Sequence, residues 1–189
     1  FSGLFFCEKG QFTKIKEEIP MACCPKSVIA EILKAKGTIK SVYFVACGGS
    51  YAGLHPGKYF LESESKELKV DHYSSNEFCH ATPKSLGEHS IVITQSSSGN
   101  TPETVKAAEI AQKAGAASIV ITNKPESPLA QNGDYVLVPE KGSTANSGQG
   151  YSLQLAVEIL NQTEGYENYD EMYNGFDRID KIVGNATKF

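Results

Sequence analysis

No block of lysine and arginine stands anywhere in this chain, and the formal net charge is −4. Nucleic acids and anionic membranes both reward clustered cations, so neither is expected as the main partner. There is also no helix-turn-helix or basic arm. An anionic ligand would have to be held locally, by backbone N–H groups and hydroxyls. Long apolar runs are missing too, the longest falling far short of the roughly 18 residues that a spanning helix needs. The opening FSGLFF lacks the basic flank and cleavage site of a secretory leader, and the expectation is a cytoplasmic protein. Metal-ligand spacing is equally scarce. The cysteines, at positions 7, 23, 24, 47 and 79, are odd in number, include an adjacent pair and form no CxxC or Cys/His ladder. Neither a disulfide framework nor a metal site follows.

What is present is a chain of 189 residues, 40% of them apolar, long enough to bury one full core. After a polar, amphipathic lead-in (1–38), short β-branched runs alternate with helical patterns. The runs at 41–46, 68–73, 90–95, 118–123 and 135–139 read as strands, most of them apolar on both faces. Stretches 51–63, 76–81, 102–114, 127–131 and 150–162 read as helices. Such alternation predicts a three-layer α/β/α sandwich around a parallel sheet of about five strands in flavodoxin-like order, spanning 39–163. The remainder, 164–189, reads as an acidic, tyrosine-rich linker or subunit contact (165–174) and the start of a further helix (176–186). A lone terminal helix with an apolar stripe needs something to pack on, so a dimer or a longer chain is expected.

Two loops are richest in chemistry. The first strand ends in Cys47-Gly48-Gly49-Ser50 and the third in SSSGNT, Ser96 to Thr101. In an open α/β sheet, ligands sit where neighbouring strands send their helices to opposite faces, and these two strands are the candidates. Each loop opens a helix, whose first N–H groups are unpaired and carry the positive end of the macrodipole. A bland reading exists: Thr101 or Asn100 caps the helix, Pro102 suits its first turn and Glu103 completes a capping box. A cap needs one polar side chain, however, and this loop offers Ser96, Ser97, Ser98, Asn100 and Thr101, which favours an anion of phosphate size. Other phosphate and nucleophile motifs fail on spacing. GLHPGKY is one residue short of a Walker loop, ACGGSYAG is not GxGxxG, and Ser50 lacks the GxSxG frame.

VYFVACGGSYAG, SSNEF, TQSSSGNTPETVKAA and NKPESPLAQ together resemble the first half of sugar isomerase (SIS) domain proteins. In pattern they are nearest to fructosamine 6-phosphate deglycases, which are similar to the isomerase half of glucosamine 6-phosphate synthase. The likeness runs from Lys14 to Phe189. It implies a phosphate held by Ser50, Ser96, Ser98 and Thr101 with the N–H groups of Ser97 and Gly99, and a sugar body near Gly49, Asn146 and Ser147. It further implies a ketose 6-phosphate or its amino-acid adduct as ligand, and no cofactor. The chemistry implied is water-driven release of an amine after proton transfer between C1 and C2. Members of this family carry two SIS domains, with the general-base glutamate and ring-opening histidine in the second, outside this chain. The expected partner is therefore a second SIS domain or a second copy.

Among the residues present, Glu77 and Glu103 are the nearest carboxylates by topology, although Glu103 reads first as a cap and Glu77 as the start of a short helix. His55 and His80 read as packed or solvated histidines, and His72 and His89 carry no signal. Cys47 reads as a small buried hydrophobe, Lys58 as a solvated charge and Lys124 as a modest phosphate contact. The rival reading from another class is a non-catalytic sugar-phosphate sensing or assembly module.

Overall fold

The computed structural model describes residues 24–186. Most of the expected lead-in, residues 1–23 with Cys7 and Cys23, lies outside the described residues. The elements follow as α1 (Pro25–Lys36), β1 (Ser41–Ala46), α2 (Gly48–Glu64), β2 (Lys69–Ser74), α3 (Ser75–His80), β3 (Ser90–Gln95), α4 (Pro102–Lys113), β4 (Ala117–Ile121), α5 (Pro128–Gln131), β5 (Tyr135–Leu137), α6 (Gly148–Thr163) and α7 (Tyr169–Ala186). The strands make one five-stranded sheet in the order β2-β1-β3-β4-β5, with every neighbouring pair parallel. This is the flavodoxin-like order that the alternation predicts.

β1 and β3 are buried along their whole length, as strands covered on both faces must be. Val42, Phe44, Ile91 and Ile93 point into a cluster with Ile29 of α1, Leu54 and Leu61 of α2, and Leu155 and Ile159 of α6. Tyr43, Val45 and Val92 point the other way, onto Phe78 of α3 and Ala107 and Ala111 of α4. Val120 of β4 meets Ala108 and Leu129 on that second side. So α1, α2 and α6 cover one face while α3, α4 and α5 cover the other. α2 and α6 approach closely: a Cβ on Gly57 would overlap the Ser152 carbonyl, and Ser152 Oγ donates to Leu54 O at 3.0 Å.

Element bounds depart from the pattern in places. α2 begins at Gly48 rather than at 51, so Gly48, Gly49 and Ser50 form its first turn. β2 is shifted by one residue, β4 begins one residue and ends two residues earlier than expected, and β5 is short, which is the usual scatter at element ends. The segment read as a linker is helical from Tyr169 onward. Its tyrosines supply the reason. Tyr169 OH donates to the buried Glu158 carboxylate at 2.7 Å, and the rings of Tyr169, Tyr173 and Phe176 contact one another in turn along one helix face. No helix among the described residues is long and apolar enough to cross a membrane.

Candidate functional site

Ala46 and Gln95 are register partners at the carboxyl ends of adjacent strands β1 and β3, so the two loops leave the sheet side by side. α2 then folds onto one face and α4 onto the other, which makes this the switch point where open α/β sheets bind ligands. Each loop turns through a glycine of positive φ, Gly48 at 55° and Gly99 at 66°, a conformation that strains any residue with a Cβ. Gly99 is constrained twice, because a Cβ there would also strike Ser127 Oγ.

At the head of α2 the cap residue Cys47 is extended, and its side chain bonds no helix N–H. The N–H groups of Gly48, Gly49 and Ser50 therefore have no acceptor within the helix and face outward with the positive end of its dipole. In the serine loop, the Ser96 and Thr101 hydroxyls lie 3.0 Å apart, and Ser96 Oγ accepts from Gly99 N at 3.2 Å. These two hydroxyls brace the turn. Ser97 and Ser98 are exposed above it. Ser98 Oγ accepts from Asn100 N at 3.3 Å, and Ser97 O accepts from Asn123 N at 3.2 Å. Thr101 is the N-cap of α4, yet its hydroxyl is turned to Ser96 and caps nothing. With Thr101 as the cap, Glu103 falls at the second helical position and not at the third, so the expected capping box does not form and Glu103 stands exposed in the first turn.

Beside this loop a cleft of about 540 Å³ opens at the carboxyl ends of β3, β4 and β5. Gln95, Ser97, Thr122, Asn123, Glu140 and Lys141 line it, and the start of α6 at Ser147 and Gly148 closes it. The cleft thus extends from the serine loop toward β5, on the side away from β2. Ser147 caps α6 by accepting from Gly150 N at 3.0 Å and donates to Thr144 O at 2.7 Å. Asn146 is spent locally: Nδ2 donates to Glu140 Oε2 at 3.0 Å, and Oδ1 accepts from Gln154 Nε2 at 3.5 Å. The preceding loop is held by Asp180 of α7, which accepts from Ser143 Oγ at 2.7 Å and from Ala145 N at 3.1 Å. Those bonds, the Ser143 hydroxyl first, keep the Asp180 carboxyl below its ordinary range.

The remaining candidates are scattered. Glu77 is exposed on α3 with its N–H bonded to Ser74 Oγ at 3.3 Å, and neither it nor Glu103 lines the cleft. His80 is exposed at the end of α3, and Lys124 is exposed after β4. Lys58 pairs with Glu62 one helical turn away at 2.5 Å. Cys47 is half-buried rather than buried. His72, which carries no signal in the sequence, stacks on Tyr51 with ring centroids 3.8 Å apart. Burial, followed by the nearby His55 and Lys58 charges, pushes its pKa down to about 4. No cluster of three potential metal ligands occurs among the described residues. Sequence reasoning also missed Gln95, whose signal is a glutamine continuing the inward row Ile91 and Ile93.

Five parallel strands in this order, with two glycine-turned loops meeting at the switch point, define a doubly wound α/β domain. The SIS domain profile matches residues 38–161, and the chain belongs to the SIS-domain family. The fructosamine deglycase FrlB of Bacillus subtilis is 45% identical over 159 residues, which are 82% of this chain and 48% of that protein. The isomerizing glutamine–fructose-6-phosphate aminotransferase of Bacillus licheniformis is 32% identical over 165 residues, covering 85% of this chain and 27% of that one. Among solved structures, a provisionally named phosphosugar isomerase from Salmonella typhimurium LT2 superimposes with a TM-score of 0.83 at 41% identity, over 99% of this chain and 55% of that one. The chain spans about half the length, or less, of these relatives.

Proposed function

We propose that this chain is the amino-terminal, phosphosugar-binding half of a cytoplasmic fructosamine 6-phosphate deglycase or of a ketose/aldose phosphosugar isomerase. The observation that carries the reading is the pair of helix heads at the β1/β3 switch point, neither of them capped by a side chain. A phosphate ester held there meets backbone N–H groups, two aligned helix dipoles and the hydroxyls of Ser50, Ser97 and Ser98. Thr101 and Ser96 keep the loop in shape. The sugar then extends into the cleft toward Ser147 and the start of α6. In a deglycase, a proton moves between C1 and C2 and water releases the amine, leaving an aldose 6-phosphate; no cofactor enters. Glu77 and Glu103 lie outside the cleft, and Glu140, which lines it, accepts a hydrogen bond from Asn146; the acid/base pair of this reading is supplied by a second SIS unit.

Two measurements test this. Calorimetry with fructose 6-phosphate is expected to show binding that Ser98→Ala with Thr101→Ala weakens by about 10-fold or more, the first change removing a hydrogen bond to a charged group, which contributes about 1.5–3 kcal/mol, and the second releasing the brace on the loop. Unchanged affinity removes the phosphate site. An assay for amine release from a fructosamine 6-phosphate is expected to show no turnover by this chain alone. Turnover without an added partner contradicts the missing acid/base pair. Binding without turnover, even in the full-length protein, establishes the sensing-module reading instead.

A further inference from the structure

Side chains of β3 alternate between the two faces of the sheet. Ile91 and Ile93 enter the cluster beneath α1, α2 and α6, while Val92 enters the opposite one, and Gln95 continues the Ile91 and Ile93 row. Its register neighbours are Ala46 in β1 and Ile121 in β4, both apolar and fully buried. Gln95 is itself only 8% exposed, and its side-chain oxygen Oε1 is buried with no hydrogen-bond partner. The amide is wedged between two helices that both offer it a glycine. A Cβ at Gly53 of α2 would sit 3.3 Å from Nε2, and a Cβ at Gly148 of α6 would overlap the amide. Space has thus been left on two sides for a polar group that bonds to neither helix. The same side chain lines the cleft, together with Ser97 of the serine loop.

A glutamine kept for architecture would spend its amide on the backbone around it, because a buried acceptor without a donor lowers stability. A neighbouring donor is what this one lacks, and α6 begins beside it at Gly148, where the N–H groups of Gly148 and Gln149 have no intrahelical acceptor while that of Gly150 is taken by Ser147 Oγ. A hydroxyl placed between them would satisfy both, donating to Gln95 and accepting from the helix head. We infer that Gln95 is a specificity-determining residue of the phosphosugar site, whose side-chain carbonyl accepts a hydrogen bond from a hydroxyl of the sugar chain. The inference rests on the phosphosugar reading and deepens it: the serine loop selects the phosphate and Gln95 selects a polyhydroxy body over an apolar one. The serine loop begins at the very next residue, so both ends of one small ligand are read from a single strand terminus.

The test compares the wild-type chain with Gln95→Leu and Gln95→Met, using fructose 6-phosphate and inorganic phosphate as calorimetric probes and thermal unfolding without ligand. Both variants are expected to lose fructose 6-phosphate affinity by about 10-fold or more, as sites do when a buried partner for a substrate hydroxyl is removed. Inorganic phosphate affinity is expected to stay within about twofold, and the ligand-free melting temperature to hold or rise, because an unsatisfied amide has been replaced by an apolar group of similar volume. Wild-type affinity for fructose 6-phosphate in the variants overturns the role of Gln95 and leaves the phosphate site standing. An equal loss of inorganic phosphate, or a lower melting temperature in both variants, assigns Gln95 to architecture and overturns it too. A wild-type chain that binds neither probe overturns the phosphosugar reading, and this inference with it.

Discussion

His72 lies against the Tyr51 ring with 9° between the planes, and its Nε2 is buried without a hydrogen-bond partner. The folded protein therefore resists protonating it. Unfolded, the imidazole takes up a proton below about pH 6.5, whereas folded it does so only near pH 4. Between those values the unfolded chain binds more protons, so stability rises with pH across the window and falls as pH drops from about 6.5 toward 4. The ring is partly solvated, which keeps the effect modest. His72→Phe retains the stack on Tyr51 and removes the titration. Its melting temperature is expected to fall less steeply than that of the wild type between pH 6.5 and 4.5, and parallel curves would exclude the effect. Single residues differ in how far they were legible. The serine loop could be read because its hydroxyls outnumber what a cap requires, whereas the positive φ of Gly48 and Gly99 emerges only in the structure. His72 and Gln95 could not, since their importance comes from missing partners, and only packing determines who the partners are. Glu103 misled, because the helix is capped at Thr101 and not at Asn100, which leaves Glu103 one position short of where a capping box needs its carboxylate.

Helices α2 and α6 bring their heads to the site, and their mutual spacing is set at one point, where Gly57 rests on the Ser152 carbonyl. Ser152 adds a bond to Leu54 O from a fully buried position. Gly57→Val is expected to cost about 1–3 kcal/mol through overpacking against backbone that cannot rotate away, a drop of roughly 2–4 °C in melting temperature for each kcal/mol. It should also weaken fructose 6-phosphate binding, because Gln95 sits between the same two helices. An unchanged melting temperature would mean that the contact is slack. Strands β1 and β3 were readable to the residue, since continuous apolar runs bounded by turns have few alternatives. The start of α2 was not. Two glycines depress local helix propensity, and it is the strand end and the packing of Leu54 and Leu61 that impose helix on them. α7 was misjudged at its head for a related reason: Tyr169 and Tyr173 look like surface residues until Glu158, buried in α6, gives the Tyr169 hydroxyl a partner.

At the scale of the molecule, the sheet is fully covered along its centre while α7 is covered only in part. None of its residues is buried, although Met172, Tyr173, Phe176 and Ile179 share one face and are half-buried against the rest of the chain. Further along, Ile182 is 59% and Val183 40% exposed, adjoining apolar side chains that a monomer in water leaves uncovered. Asp180, between them and the domain, ties α7 to the loop that precedes Ser147, so the helix is held in place while its far end projects. A projecting apolar end fits the proposed partner, a second SIS unit or a second copy of this chain. With this chain alone, only the second copy is available. Sedimentation over rising concentration is therefore expected to show reversible self-association, and Ile182→Asp with Val183→Asp to shift it toward monomer by an order of magnitude or more, because two buried aliphatic side chains contribute about 1.5–3 kcal/mol each. The same pair should leave the melting temperature of the dilute protein within a degree or two, since neither side chain packs into the core. A wild-type chain that sediments as a monomer at every concentration would mean that α7 is covered by nothing of its own kind, and that its partner, if it has one, is a different surface.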